Sequence, residues 1–149
     1  MDVWFAYGSL AVALIVIWFM PKHLTRREIY LVWGFVAGIT VYTDLVCGVV
    51  FDLYDFFESG KIDLVDLPLQ ATLAPSISVI FANFMPKALG RRFLYYLIGV
   101  VLFSCFFEWM SVLSQYLIYK GWKLYYSVPF YAVGMLYLRW HVGYLRKPT

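Results

Sequence analysis

The nine residues Phe19-Met20-Pro21-Lys22-His23-Leu24-Thr25-Arg26-Arg27 return, with seven identities, as Phe84-Met85-Pro86-Lys87-Ala88-Leu89-Gly90-Arg91-Arg92, 65 residues further on. Each copy follows one long apolar run and precedes another, so each reads as the tip of a helical hairpin. Proline ends the incoming helix because it lacks the N–H that would continue the ladder, and the bases behind it need water or lipid headgroups. Two such tips predict two hairpins related as a parallel repeat, and Tyr30 with Tyr95, Gly34 with Gly99 and Val36 with Val101 keep the same offset.

The runs on either side set the class. The 149 residues are 63% hydrophobic, 21% aromatic and 14% charged, whereas soluble domains carry about 25% charge. The reading is an all-α polytopic membrane protein, one transmembrane domain over residues 1–149, with helices at about 3–20, 29–51, 67–84, 93–116 and 124–144. Each is long enough for a hydrocarbon core of about 30 Å at about 1.5 Å rise per residue. Thr25 and Glu28 have capping-box spacing for the second helix, and Asp66 before Pro68 opens the third. Pro75, among Gln70, Thr72, Ser76, Ser78 and Asn83, is expected to kink that third helix.

Nine of the twelve Lys and Arg residues fall on the side of the two turns: Lys22, Arg26, Arg27, Lys87, Arg91, Arg92, Arg139, Arg146 and Lys147. Lys61, Lys120 and Lys123 fall on the other, with the acidic stretch Asp52, Asp55, Glu58, Asp63 and Asp66 around Gly60. By the positive-inside rule this predicts an external N-terminus and a cytoplasmic C-terminus. Trp4, Tyr119, Trp122, Tyr125 and Trp140 near the run ends read as interfacial anchors. The first run ends without a small-residue cleavage site, so a cleaved signal peptide is not expected.

Charge inside the runs is the functional signal. Asp44 and Glu108 each lie sixteen residues past Glu28 and Arg92 respectively, and so at a common depth. A carboxylate in lipid is expensive, so both are expected to face the bundle interior. Ser104, Glu108, Ser111 and Gln115 recur at helical spacing as one polar stripe, and Gln70 falls at a similar level. Asp44, Gln70 and Glu108 with Ser104, Ser111 and Gln115 are therefore the candidate solute- or ion-binding layer, the two acids sharing a proton or a cation. Gly34 and Gly38 form a small-xxx-small pattern for close helix packing.

Other chemistry has little support. Cys47 and Cys105 stand alone, and no metal-ligand spacing, phosphate loop, nucleophile elbow or dinucleotide fingerprint is present. No metal, no cofactor and no catalytic residue is expected, and the bases form no nucleic-acid groove. His23 and His141 read as solvated interfacial residues.

The motifs Phe19-Met20-Pro21-Lys22-His23-Leu24-Thr25-Arg26-Arg27-Glu28, Phe51-Asp52-Leu53-Tyr54, Phe107-Glu108-Trp109-Met110-Ser111 and Gly121-Trp122-Lys123 follow one another in that order. With them the chain resembles an uncharacterised family of small five-helix membrane proteins of endospore-forming Gram-positive bacteria. The resemblance implies a bacterial inner membrane and a role in envelope or spore physiology, and no site residues. The functional expectation is a membrane protein that binds or passes a small solute or ion, with proton coupling through the acids. Its rivals are an accessory subunit packed on a larger complex through Gly34 and Gly38, and, less supported, an intramembrane enzyme on a lipid-like substrate. The expected partners are membrane lipid and a homo-oligomer or membrane complex.

Overall fold

The computed structural model of the chain describes residues 2–56 and 66–147. Its helices are α1 (Asp2–Phe19), α2 (Arg26–Asp44), α3 (Asp66–Phe84), α4 (Arg91–Leu113) and α5 (Leu124–Leu145), with two three-residue strands, β1 (Tyr54–Phe56) and β2 (Leu117–Tyr119). The all-helical expectation holds, and the boundaries repeat the 65-residue offset: α1 ends at Phe19 and α3 at Phe84, α2 starts at Arg26 and α4 at Arg91. Glu58, Gly60, Lys61 and Asp63 of the acidic stretch lie outside the described residues.

α2 starts three residues earlier than expected because the capping box is made in full. The Glu28 amide donates to Thr25 Oγ1 at 3.2 Å and the Thr25 amide to Glu28 Oε2 at 2.7 Å, which satisfies donors that the first turn would otherwise leave open. The helix then changes character at Asp44. Leu45–Val50 winds as a wider π-helical segment before the chain turns back at Asp52, whose φ is 50°. α4 stops at Leu113, earlier than the expected 116, and Gln115 sits beyond it with φ 61°.

α3 is the central helix. α1 and α2, joined by the first basic turn, pack on α3, which also meets α5, and α5 in turn packs on α4 and α2. Pro75 and Ser76 are wholly buried in α3, which continues through the proline. One core cluster, including Met20, Leu24, Val32, Val79, Met135 and Val142, lies beneath the basic turns; a second, Ala6, Leu69 and Tyr116, lies toward the ribbon.

The two basic turns occupy the same end of the bundle, held by different side chains. Asn83 Oδ1 accepts from the His23 and Leu24 amides at 2.8 and 3.2 Å, and Asn83 Nδ2 donates to the Pro21 carbonyl at 2.8 Å. Arg139 holds the second turn, donating to the Pro86 and Lys87 carbonyls at 2.8 and 2.9 Å. Arg146 closes that end by pairing with Glu28 at 2.8 Å.

At the opposite end β1 and β2 form an antiparallel ribbon in the register Tyr54 to Tyr119, Asp55 to Ile118 and Phe56 to Leu117. Sequence periodicity did not indicate it. Tyr54 and Tyr119 are again 65 residues apart, so the ribbon pairs each with its repeat counterpart, as a local twofold axis would. Asp52 and Asp55, from the acidic stretch, are ion-paired with Lys120 at 2.6 and 2.8 Å.

Among the described residues, two helical stretches are long and apolar enough to cross a membrane: Arg26–Val50, with mean hydropathy 1.6, and Arg91–Leu113, with 1.9. The exterior is apolar as well as the core, and some polar side chains are buried. Ser76, Asn83, Glu108, Ser111 and Ser127 are buried, whereas large apolar side chains such as Trp18, Phe19, Val50 and Leu102 are exposed.

Candidate functional site

α2, α3, α4 and α5 enclose a cavity of about 840 Å³ beneath the ribbon. Its walls are mostly aliphatic and aromatic, and both acids singled out from the sequence reach it from facing helices: Asp44 from the last position of α2 and Glu108 from α4. Ile39 and Val133 line it and are also 42% and 65% exposed, so it opens sideways between α2 and α5. Away from the ribbon, Phe35 stacks on His141 at 4.6 Å and on Tyr137 at 5.5 Å, which bridges α2 and α5.

The two acids have different surroundings. Glu108 is 6% exposed and accepts three hydroxyl hydrogen bonds: from Tyr119 and from Ser127, the latter at 2.6 Å, both on Oε1, and from Tyr131 at 2.5 Å on Oε2. Ser127 is itself aligned by the Trp122 indole N–H at 2.8 Å. Among the described residues Asp44 accepts one hydrogen bond, from the Tyr54 hydroxyl to Oδ1 at 2.9 Å. Both Glu108 oxygens are thus engaged by the protein, whereas among the described residues Asp44 Oδ2 has no hydrogen-bond partner.

The ribbon register explains how each acid acquires a phenol. Paired residues on an antiparallel ribbon point to the same side, so Tyr54 and Tyr119 reach into the bundle together, one to Asp44 and one to Glu108. The π-helical segment after Asp44 brings the chain back far enough for Tyr54 to meet it, and Gly48 makes room there: a β-carbon on Gly48 would lie 3.3 Å from the Tyr54 carbonyl. Burial and the nearby Asp44 carboxylate push the Tyr54 phenol up, and burial with the Glu108 hydrogen bond does the same to Tyr119. Both therefore act as proton-bearing donors.

Of the residues expected from the sequence, the cavity gathers Asp44, Glu108, Ser104 and Ser111; the Ser111 hydroxyl donates to the Phe107 carbonyl at 2.8 Å. Gln70 lies on α3, and its side chain is outside the described residues. Gln115 does not belong to the stripe: α4 has ended, and the left-handed turn places Gln115 on the surface. Gly34 and Gly38, expected to admit a close-packed helix, lie on an outer face of α2. Both are exposed, and among the described residues no atom lies within 4 Å of a β-carbon built on either, so they receive no helix of this chain.

Sequence reading missed Tyr54, Tyr119, Ser127, Tyr131 and Trp122, which complete the site, and His141, which lines the far end of the cavity. Tyr119 and Trp122 turn their polar atoms inward, to Glu108 and Ser127. The signal available in the sequence was the 65-residue offset, which relates Tyr54 to Tyr119 just as it relates Tyr30 to Tyr95.

No metal-sized cluster of three or more His, Cys, Asp or Glu occurs among the described residues. No protein-family model, curated protein or solved structure matches the chain.

Proposed function

We propose that this chain is a five-span membrane protein of the bacterial inner membrane, with the basic turns cytoplasmic, whose interhelical cavity binds a small solute at the Asp44 end. The observation that carries the proposal is the cavity of about 840 Å³ with Asp44 presenting to it a carboxylate oxygen that has no partner among the described residues. The apolar exterior and the hydrogen-bonded polar side chains inside support the membrane reading, because lipid favours apolar exteriors and drives polar side chains to pair inside.

The binding role is tested by filling the cavity. Gly134 lines it, and no described atom lies within 4 Å of a β-carbon placed there, so Gly134→Phe grows into empty space. Native mass spectrometry after incubation with total membrane extract should show a discrete bound molecule on wild type that the variant lacks, at unchanged melting temperature. Equal loading of the two proteins refutes the role.

Orientation is tested in a Cys47→Ser, Cys105→Ser background. Single cysteines at Lys22 or Lys87 should stay unlabelled by membrane-impermeant maleimide in whole cells, and one at Lys123 should react. The reverse pattern overturns the topology.

A second reading, an accessory subunit, is favoured by the open notch at Gly34 and Gly38 on an exposed face of α2. In the isolated chain Gly34→Leu should leave stability unchanged or raise it by about 0.5–1 kcal/mol, since leucine is the better helix former and meets no obstacle. A drop in melting temperature would show that the notch is already filled, by a second copy of the chain.

A further inference from the structure

We infer that the occupant of this cavity is an organic ammonium amphiphile, its cationic head held at Asp44 among the aromatic rings beneath the ribbon and its chain laid along the apolar walls. The inference rests on the proposed binding role and names the ligand class for it.

Charge comes first. The described lining contains two carboxyl groups and no lysine or arginine. Glu108 is occupied by three hydroxyls, which leaves Asp44 as the acid available to a ligand. A metal ion does not suit the setting: hard cations need six or more oxygens, and the described residues assemble no such group.

The walls around the head are rings. Trp122 packs edge-on against Tyr54, Tyr126 and Phe130, with centroids 5.9, 5.7 and 6.3 Å apart, and all four line the cavity. Ring faces attract cations, and best those that shed water easily, which describes a substituted ammonium and not a hydrated metal ion. The carboxylate adds the countercharge that neutral rings lack.

The rest of the cavity suits a chain. It follows α5 from Tyr126 to His141, about 22 Å at helical rise, between apolar side chains such as Leu73, Ile77, Phe81 and Phe103. The side opening at Ile39 and Val133 faces where lipid would lie, so an amphiphile reaches the cavity from the bilayer without crossing the ribbon.

The test uses radiolabelled decyltrimethylammonium, below its micellar concentration, on the full chain in a neutral maltoside detergent, read by scintillation proximity. Wild type should bind saturably; Asp44→Asn should bind about thirtyfold or more weakly and Trp122→Ala about tenfold more weakly. Unlabelled decyl sulfate, decanol and tetramethylammonium should each fail to displace the probe. Displacement by decanol or decyl sulfate as readily as by the ammonium compound overturns the cationic head, and displacement by tetramethylammonium overturns the chain, while either result leaves the cavity a binding site. Absence of saturable binding by every probe, labelled decanol and decyl sulfate included, removes the binding role along with its ligand. The competition series needs only wild-type protein, so it decides even where a variant fails to fold.

Discussion

Glu108→Ala is expected to cost about 3–5 kcal/mol of stability, because three hydroxyl donors lose their shared acceptor and each buried donor left unsatisfied costs about 1–3 kcal/mol. The hydroxyls of Tyr119, Ser127 and Tyr131 all lose their acceptor at once, and Ser127 is 2% exposed, so water has poor access to replace it. Glu108→Gln keeps an oxygen for two of the three donors and should cost about 1–2 kcal/mol. Asp44→Asn, which disturbs a single hydrogen bond, should stay under about 1 kcal/mol while weakening ligand binding. Melting temperatures in detergent measure all three. If Glu108→Ala melts within a degree or two of wild type, Glu108 does not tie the ribbon and α5 to α4.

That split between the acids was not legible from their positions. The sequence places Asp44 and Glu108 at equal depth and so suggests equal roles; what separates them is the set of hydroxyls that the ribbon and α5 deliver. Strands of three residues carry too little alternation to be recognised, and they exist here only because Tyr54–Phe56 and Leu117–Tyr119 find each other across the bundle. The helices were readable because apolar length, Pro21, Pro86 and the Thr25 cap are local features. Gln115 was misplaced for the converse reason: a helical period was carried past a helix end that only the left-handed turn reveals. Gly34 and Gly38 show a similar limit, since small residues permit close approach and do not say whether a neighbour is there.

The second large effect concerns the basic end, where Asn83→Ala is expected to cost about 2–4 kcal/mol. Asn83 is 3% exposed and serves three backbone groups of another segment: the His23 and Leu24 amides and the Pro21 carbonyl. Alanine leaves all three without their partner at the buried junction of the first turn and α3, and unpaired buried backbone groups are rare because they are costly. Hydrogen exchange supplies a local readout, with the Leu24 amide protected in wild type and exchanging much faster in the variant. Asn83→Asp should fall between, since a carboxylate still accepts from both amides but has no donor for the Pro21 carbonyl. The second turn provides the contrast, because Arg139 holds the Pro86 and Lys87 carbonyls from a partly exposed position where water can take over. Arg139→Gln should therefore cost about 1 kcal/mol or less. An equal loss at Asn83 and Arg139 would show that the two turns are supported alike. The expected inequality follows from one helix position: Asn83 stands where the 65-residue offset places Trp18 in α1, so two turns of nearly identical sequence are held by an interior amide in one case and by a surface guanidinium in the other.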